Sequence, residues 1–331
     1  MRRRATSTTI LAFLLALATW AGAASHESDP RPAKPAKAYT IGVLVPQLTN
    51  PHFAAQAFGY IDEAERLGAK VILHDAGGYQ YVDKQISQME DLIASKVNAI
   101  CLVATSGPGT VPVVDRAAAA GIPVINVNVM TNNDKVAIRI RSDDNVIGQT
   151  MGEFVAKTLR KGNVVMQSGV AGASAFEIRA KAFREYVTKN APEIKILGER
   201  HSLNTPDQGL KNMEDFLQTF PQIDAVYNSA DFVAIGAAQA LKAAGKAGKV
   251  MIVTADFQPD TERLVREGIV TQAVVQQPVT MGRWAIRAAI NVLDKREVPK
   301  LLYTPILSVT KDNIGTVDLS TVRAPAGWKP K

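Results

Sequence analysis

The chain predicts an α/β protein with parallel sheets, built as two comparable lobes. Three observations lead there. Strand-like runs rich in β-branched residues alternate with amphipathic helical runs along most of the chain. The pattern of one half is echoed in the other. The stretch Ile41 to Phe53, IGVLVPQLTNPHF, reads as a buried strand and a loop of polar and aromatic residues, and the helix that follows leads into a strand at Val71. In open α/β sheets the loops leaving the carboxyl ends of strands hold ligands, so this segment also marks where chemistry is expected.

The elements follow in order. Residues 1–23 have the layout of a signal peptide: Arg2, Arg3 and Arg4, an apolar run from Ile10 to Trp20, then Ala21-Gly22-Ala23 for cleavage. The run is too short to span a bilayer and no second one follows, which argues against an uncleaved anchor. No Cys follows it to carry a lipid. Residues 24–38, rich in Pro, Lys and Ala without periodicity, read as a flexible linker. The periplasm is therefore the expected location.

VILHD, AICLVA and IPVINVNV read as short strands, with helical runs DKQISQMEDLIASK and TVPVVDRAAAAG between them, the latter closed by Gly121. Such alternation places helices on both faces of a parallel sheet. NVVMQSGV opens a second set: ASAFEIRAKAFREYVTKN, KILGERH, DQGLKNMEDFLQTFP, IDAVYNSA, FVAIGAAQALKAAG, VMIVTAD and TERLVREG. Met89-Glu90-Asp91 is matched by Met213-Glu214-Asp215, and Asp83 and Asp207 stand at the same offset before them. Each echoed helix feeds a strand through a short polar turn, as two similar lobes require.

Charge and motifs exclude several classes. The net charge of +7 includes three leader arginines unmatched by acids, leaving +4 for the rest, with no dense basic run. That offers no footprint for nucleic acid or a membrane surface. Cys101 is alone, and within AICLVA it reads as a buried thiol rather than a nucleophile. His26, His52, His74 and His201 have no i,i+4 partner, so no metal site is expected. No G-x-G-x-x-G follows the first strand, AGKAGKV lacks two elements of a phosphate loop, GASA at 172–175 lacks the second glycine of a nucleophile elbow, and H-E-x-x-H is absent. No cofactor and no enzymatic activity are expected.

From Tyr39 to Asn313 the chain resembles the ribose-binding-type (type I) periplasmic substrate-binding proteins of bacterial ABC sugar importers. IGVLVPQLTNPHF, AGIPVINVN, RSDDNVIGQTMGEFVA, SGVAGASAFEIRAKAF, IDAVYNSADFVAIGAAQAL, VMIVTADFQPD and VTQAVVQQPVTMG carry the resemblance through their order and spacing. Sugar-responsive repressors share the fold but carry a helix-turn-helix where this chain has a leader. The resemblance implies two Rossmann-like lobes with parallel sheets joined by a three-segment hinge: residues 39–142 plus 277–303, and 143–276 plus 304–331. The crossings fall near Ser142–Asn145, Gln276–Pro278 and Tyr303–Pro305. It also implies a monomer that closes on a small ligand and presents it to a membrane permease. A membrane sensor kinase or chemoreceptor is the alternative partner.

The resemblance carries over to individual residues. Asn50 and Phe53 match sugar-binding positions, one reading a hydroxyl and the other stacking on a ring; Asn50-Pro51 equally suits a helix cap. His52 stands where relatives carry an aromatic. Asp256, after VMIVTA, matches an acid that accepts sugar hydroxyls, and Gln276 is a hydroxyl partner or a plain hinge residue. Other positions depart from the pattern. Asn128-Val129 replaces Asp-Arg, Glu177 stands for the binding arginine with Arg179 matching a second, and Asn204 replaces an aromatic. Ala230 replaces an amide that Asn228 could supply, and Asp231 keeps the following acid, which also suits an N-cap. Tyr79 and Tyr81 either lean over the cleft or cover the surface, and Trp284 belongs to the core. With two arginines and one aromatic changed, a neutral polyhydroxylated ligand (sugar, polyol or inositol) ranks first. A small amine or zwitterion held by Glu177 and Asp256 is the alternative.

Overall fold

A computed structural model describes residues 29–30, 35–171 and 173–330; the expected leader and most of the expected linker lie outside them. In chain order the elements are β1 (Thr40–Val45), α1 (Pro51–Leu67), β2 (Lys70–Asp75), α2 (Val82–Ala94), β3 (Ala99–Leu102), α3 (Val111–Ala119), β4 (Val124–Val127), β5 (Ile138–Arg141), α4 (Asp144–Leu159), β6 (Gly162–Ser168), α5 (Ser174–Asn190) and β7 (Ile194–His201). There follow α6 (Pro206–Thr219), β8 (Ala225–Asn228), α7 (Asp231–Ala243), β9 (Met251–Ala255), α8 (Pro259–Glu267), β10 (Gln272–Gln276), α9 (Pro278–Leu293), β11 (Leu301–Tyr303) and β12 (Ile306–Val309).

These strands form two sheets. The first runs β11-β5-β4-β3-β1-β2 with every pair parallel. The second runs β12-β10-β9-β8-β6-β7, parallel except where β12 lies antiparallel to β10. Apart from that pair of edge strands the two orders are the same arrangement. The echoed segments take equivalent places, α2 before β3 and α6 before β8. The α/β class with two parallel-sheet lobes, expected from the alternation, is the architecture found.

The central strands β1, β3, β8 and β9 are mostly apolar on both sides because helices cover both faces. In the first lobe Ile41, Val43 and Cys101 pack with Tyr60 and Trp284, while Leu44, Ile100 and Leu102 pack with Met89, Leu92 and Val114. In the second, Val165, Val226 and Ile252 face Met213, Phe216 and Leu241, while Val164, Met166 and Val253 face Met151 and Phe183. The period of two along each strand sorts its side chains between the two layers. Glycine sets how closely the outer helices approach. A Cβ on Gly59 of α1 would stand 2.2 Å from the Val279 carbonyl oxygen of α9, and one on Gly282 would stand 2.3 Å from that of Gln56. Only glycine permits this contact, which seats α1 and the loop before it.

The chain passes between the sheets at three places: after β5 at 142–143, at Gln277 between β10 and α9, and at 304–305 between β11 and β12. The first and third are joined, with Thr304 N donating to the Arg141 carbonyl at 2.9 Å and Ser142 Oγ lying 3.3 Å from Thr304 Oγ1. Past β12, Ile314 and Val322 enter the second lobe's core. The tail then returns to the first lobe, where Trp328 meets Phe58 of α1 edge-on with centroids 5.5 Å apart. The sequence assigned 304–331 wholly to the second lobe; the end of the tail instead covers an aromatic that α1 leaves at its surface.

Candidate functional site

A cleft of about 1040 Å³ opens between the lobes, where the loops after the strands' carboxyl ends converge. Nine of the eleven residues singled out in the sequence line it: Asn50, His52, Phe53, Asn128, Arg179, Asn204, Asp231, Asp256 and Gln276.

On the first lobe, Asn50 is the N-cap of α1, its Oδ1 accepting from His52 N at 2.9 Å, with Pro51 as the first helical residue. The cap uses Oδ1 and leaves Nδ2 for the cleft, so the two readings of Asn50 are compatible. The cap presents His52 and Phe53 side by side, their rings edge-on at 5.3 Å, and Tyr79 adds a third ring 6.1 Å from Phe53. This makes an aromatic wall of the kind that meets the C–H face of a ring or chain. Asn128 Nδ2 donates to His52 Nε2 at 2.9 Å, which puts the imidazole proton on Nδ1. Burial lowers the His52 pKa, Asp256 opposes that effect and Arg179 adds to it, so the ring is neutral near pH 7.

The second lobe is polar. Asp256 follows β9, with its Oδ1 accepting from Gln276 Nε2 at 2.7 Å and its Oδ2 3.6 Å from Arg179 Nη1. Arg179 is 4% exposed and also donates to Asp144 Oδ1 at 2.8 Å and the Ser229 carbonyl at 3.1 Å. Burial opposes its charge, but Asp256 and Asp144 outweigh that and hold its pKa above the usual value. Asp231, the first residue of α7, also serves the start of α8: its Oδ2 accepts from Gln258 N at 2.7 Å and Thr261 Oγ1 at 3.3 Å. Burial first, and then the charge of Asp256, push its pKa up to about 7.

Three cleft residues share a backbone trait. Asn128, Asn204 and Asp256 have φ of 60°, 58° and 69°. Left-handed backbone is costly for most side chains and is tolerated best, after glycine, by Asn and Asp. The asparagines at 128 and 204, which depart from the family pattern, therefore suit the turns that leave β4 and β7. Asn204 Oδ1 is buried against the cleft with no hydrogen-bond partner among the described residues, an acceptor available to a ligand or water.

Two expected residues are elsewhere. Glu177 is exposed on α5 and lines a separate recess with Lys181, Arg184 and Glu199. Helical spacing explains this: 177, 181 and 184 share one face, whereas Phe176 and Arg179 share the face turned to the cleft. Asn228 is fully buried, its Nδ2 donating to the Val253 carbonyl at 3.2 Å. That bond holds its amide within the sheet, between β8 and β9, and away from the cleft. Phe176, Phe257 and Arg323 also line the cleft and went unrecognised. Phe176 lay in the quoted ASAF segment, and Phe257 directly follows the chosen acid.

Comparison with known proteins agrees with this fold. A family model described as "Periplasmic binding protein domain" matches residues 41–297. The chain is 30% identical over 299 residues to the ribose import binding protein of Bacillus subtilis (strain 168), covering 88% of this chain and 96% of that one. It is 32% identical over 236 residues to a xylitol-binding protein of Mycolicibacterium smegmatis, covering 70% and 67%. The solved structure of an ABC transporter solute-binding protein from Bradyrhizobium sp. BTAi1, with bound Bis-Tris, superposes with a TM-score of 0.84 at 28% identity, covering 91% of each chain.

Proposed function

The chain belongs to the periplasmic binding protein family, and from that premise we propose that it is the solute-binding component of an ABC importer. It clamps a small polyhydroxylated ligand, a sugar, polyol or inositol, between its lobes by hinge closure and presents it to the inner-membrane permease. Residues 1–23 direct export and are removed. The observation that carries this reading is the pairing of unlike walls across one cleft. His52, Phe53 and Tyr79 offer apolar ring faces from the first lobe, and Asp256, Gln276 and Arg179 offer hydrogen-bonding groups from the second. A polyhydroxylated molecule has both surfaces, and only a closed cleft satisfies both at once. The ribose- and xylitol-binding relatives support the ligand class.

A second reading has its own observation. Asp231 and Asp256 line one cleft, and beyond the effect of burial the charge of Asp256 raises the Asp231 pKa, which favours a cationic group between them. The Bis-Tris held by the Bradyrhizobium relative is a hydroxylated amine of that kind. A thermal-shift panel of pentoses, hexoses, polyols, inositols and small amines, run on residues 24–331, separates the two. A ligand at a hundred times its Kd stabilises by about 2.7 kcal/mol. Stabilisation by a neutral sugar or polyol is the expected result, and stabilisation by amines alone overturns it.

A further inference from the structure

The buried charges behind the cleft form a row that reaches all three crossings. Asp144, at the start of α4 and 5% exposed, lies just past the first crossing. Its Oδ2 pairs with Nη2 of Arg141, the last residue of β5 in the first lobe. Its Oδ1 accepts from Arg179 Nε at 2.8 Å, and Arg179 Nη1 stands 3.6 Å from Asp256 Oδ2. Asp256 Oδ1 takes an N–H of Gln276 at 2.7 Å, one residue before the second crossing. The Arg141 carbonyl accepts from Thr304 N in the third. Arg141, Asp144, Arg179 and Asp256 alternate in sign, and the middle two are almost fully removed from water.

Buried charges of this kind depend on their partners, because an unpaired one is poorly solvated. Arg179 is shared between Asp144 and Asp256. Any change in how Arg141 engages Asp144, as the lobes rotate about the crossings, alters what Arg179 offers to Asp256. A ligand hydroxyl bound at Asp256 draws on the same carboxylate from the other end.

We propose that Asp144 is a positioning residue: through Arg141 and Arg179 it couples the angle between the lobes to the state of Asp256. This rests on the reading that Asp256 faces the ligand, so the test has one arm that needs no ligand. Cysteines placed at exposed Lys84 on α2 and Lys211 on α6 carry spin labels on the two lobes, while native Cys101 is fully buried. The inter-lobe distance distribution of the ligand-free protein is measured for the parent, Asp144→Asn and Arg141→Gln. Arg141→Gln keeps the Arg179–Asp144 pair and alters a partly exposed side chain, so it stays informative if Asp144→Asn does not fold. Both variants are expected to shift the distribution, and an unchanged distribution in the folded variants overturns the coupling. In the second arm, titration with D-ribose is expected to give a Kd at least tenfold weaker for each variant than for the parent. No binding of D-ribose by the parent counts against ribose as the ligand, and the same tenfold loss is then read with the compound of the thermal-shift panel that stabilises the parent. Unaltered affinity alongside a shifted distribution shows that the hinge is biased without reaching Asp256, which also overturns the proposal.

Discussion

Replacing Asp256 by Asn tests the polar wall with little disturbance elsewhere. The position has φ of 69°, where Asn is tolerated nearly as well as Asp, whereas Ala would add roughly 1–2 kcal/mol of backbone cost unrelated to binding. Asn keeps an acceptor for the Gln276 amide, and Arg179 retains Asp144 as its ionic partner. What disappears is the negative charge that strengthens hydrogen bonds from ligand hydroxyls. Hydrogen bonds to a charged group are worth about 1.5–3 kcal/mol, against about 1 for neutral ones. Losing charge assistance on both carboxylate oxygens therefore removes about 2–3 kcal/mol, a roughly 30- to 150-fold rise in Kd. Isothermal titration with the panel compound that stabilises the parent measures it, and urea unfolding of the ligand-free variant provides the control. A Kd within twofold of the parent's refutes a ligand contact at Asp256. A loss of more than about 3 kcal/mol in ligand-free stability, the scale of a broken buried ion pair, makes the residue structural instead.

Asp231 predicts a pH dependence. Its folded pKa, about 7, exceeds that of the unfolded chain, so the folded state holds the proton more tightly. The resulting stability is fully present below the ordinary aspartate range and is lost as pH rises through about 7, amounting to about 4 kcal/mol. Asp231→Asn, which keeps an acceptor at the start of α8, is expected to narrow the stability gap between pH 5 and pH 8 in urea unfolding; an identical gap refutes the raised pKa. Phe53→Leu keeps a large apolar side chain but removes the ring, and is expected to weaken a sugar or polyol by about 1 kcal/mol, roughly fivefold, in the same titration. Glu177→Gln, outside the cleft, is expected to leave Kd unchanged. A tenfold change would return Glu177 to the site.

The sequence alone was sufficient for the architecture, because its signals are local. The short unbroken apolar run of AICLVA and the helical spacing in the echoed Met89 and Met213 segments each lie within one element, and their order along the chain determines a parallel sheet. The cap at Asn50 was equally local, and it brought His52 and Phe53 to the cleft together. Position in a motif does not report which way a side chain points. Glu177 and Arg179 are two residues apart on one helix, and only packing decides which of them turns inward. Asn228 sits at the expected strand end with its amide held inside the sheet. Asp144 was overlooked because nothing near it in sequence shows that Arg179, thirty-five residues later, will share it with Asp256. Pairing of that sort arises where α4 and α5 pack together beside the end of β9, and tertiary structure alone produces it. The sequence determined two lobes and the loop that faces the cleft between them; the folded chain decided which charges meet there.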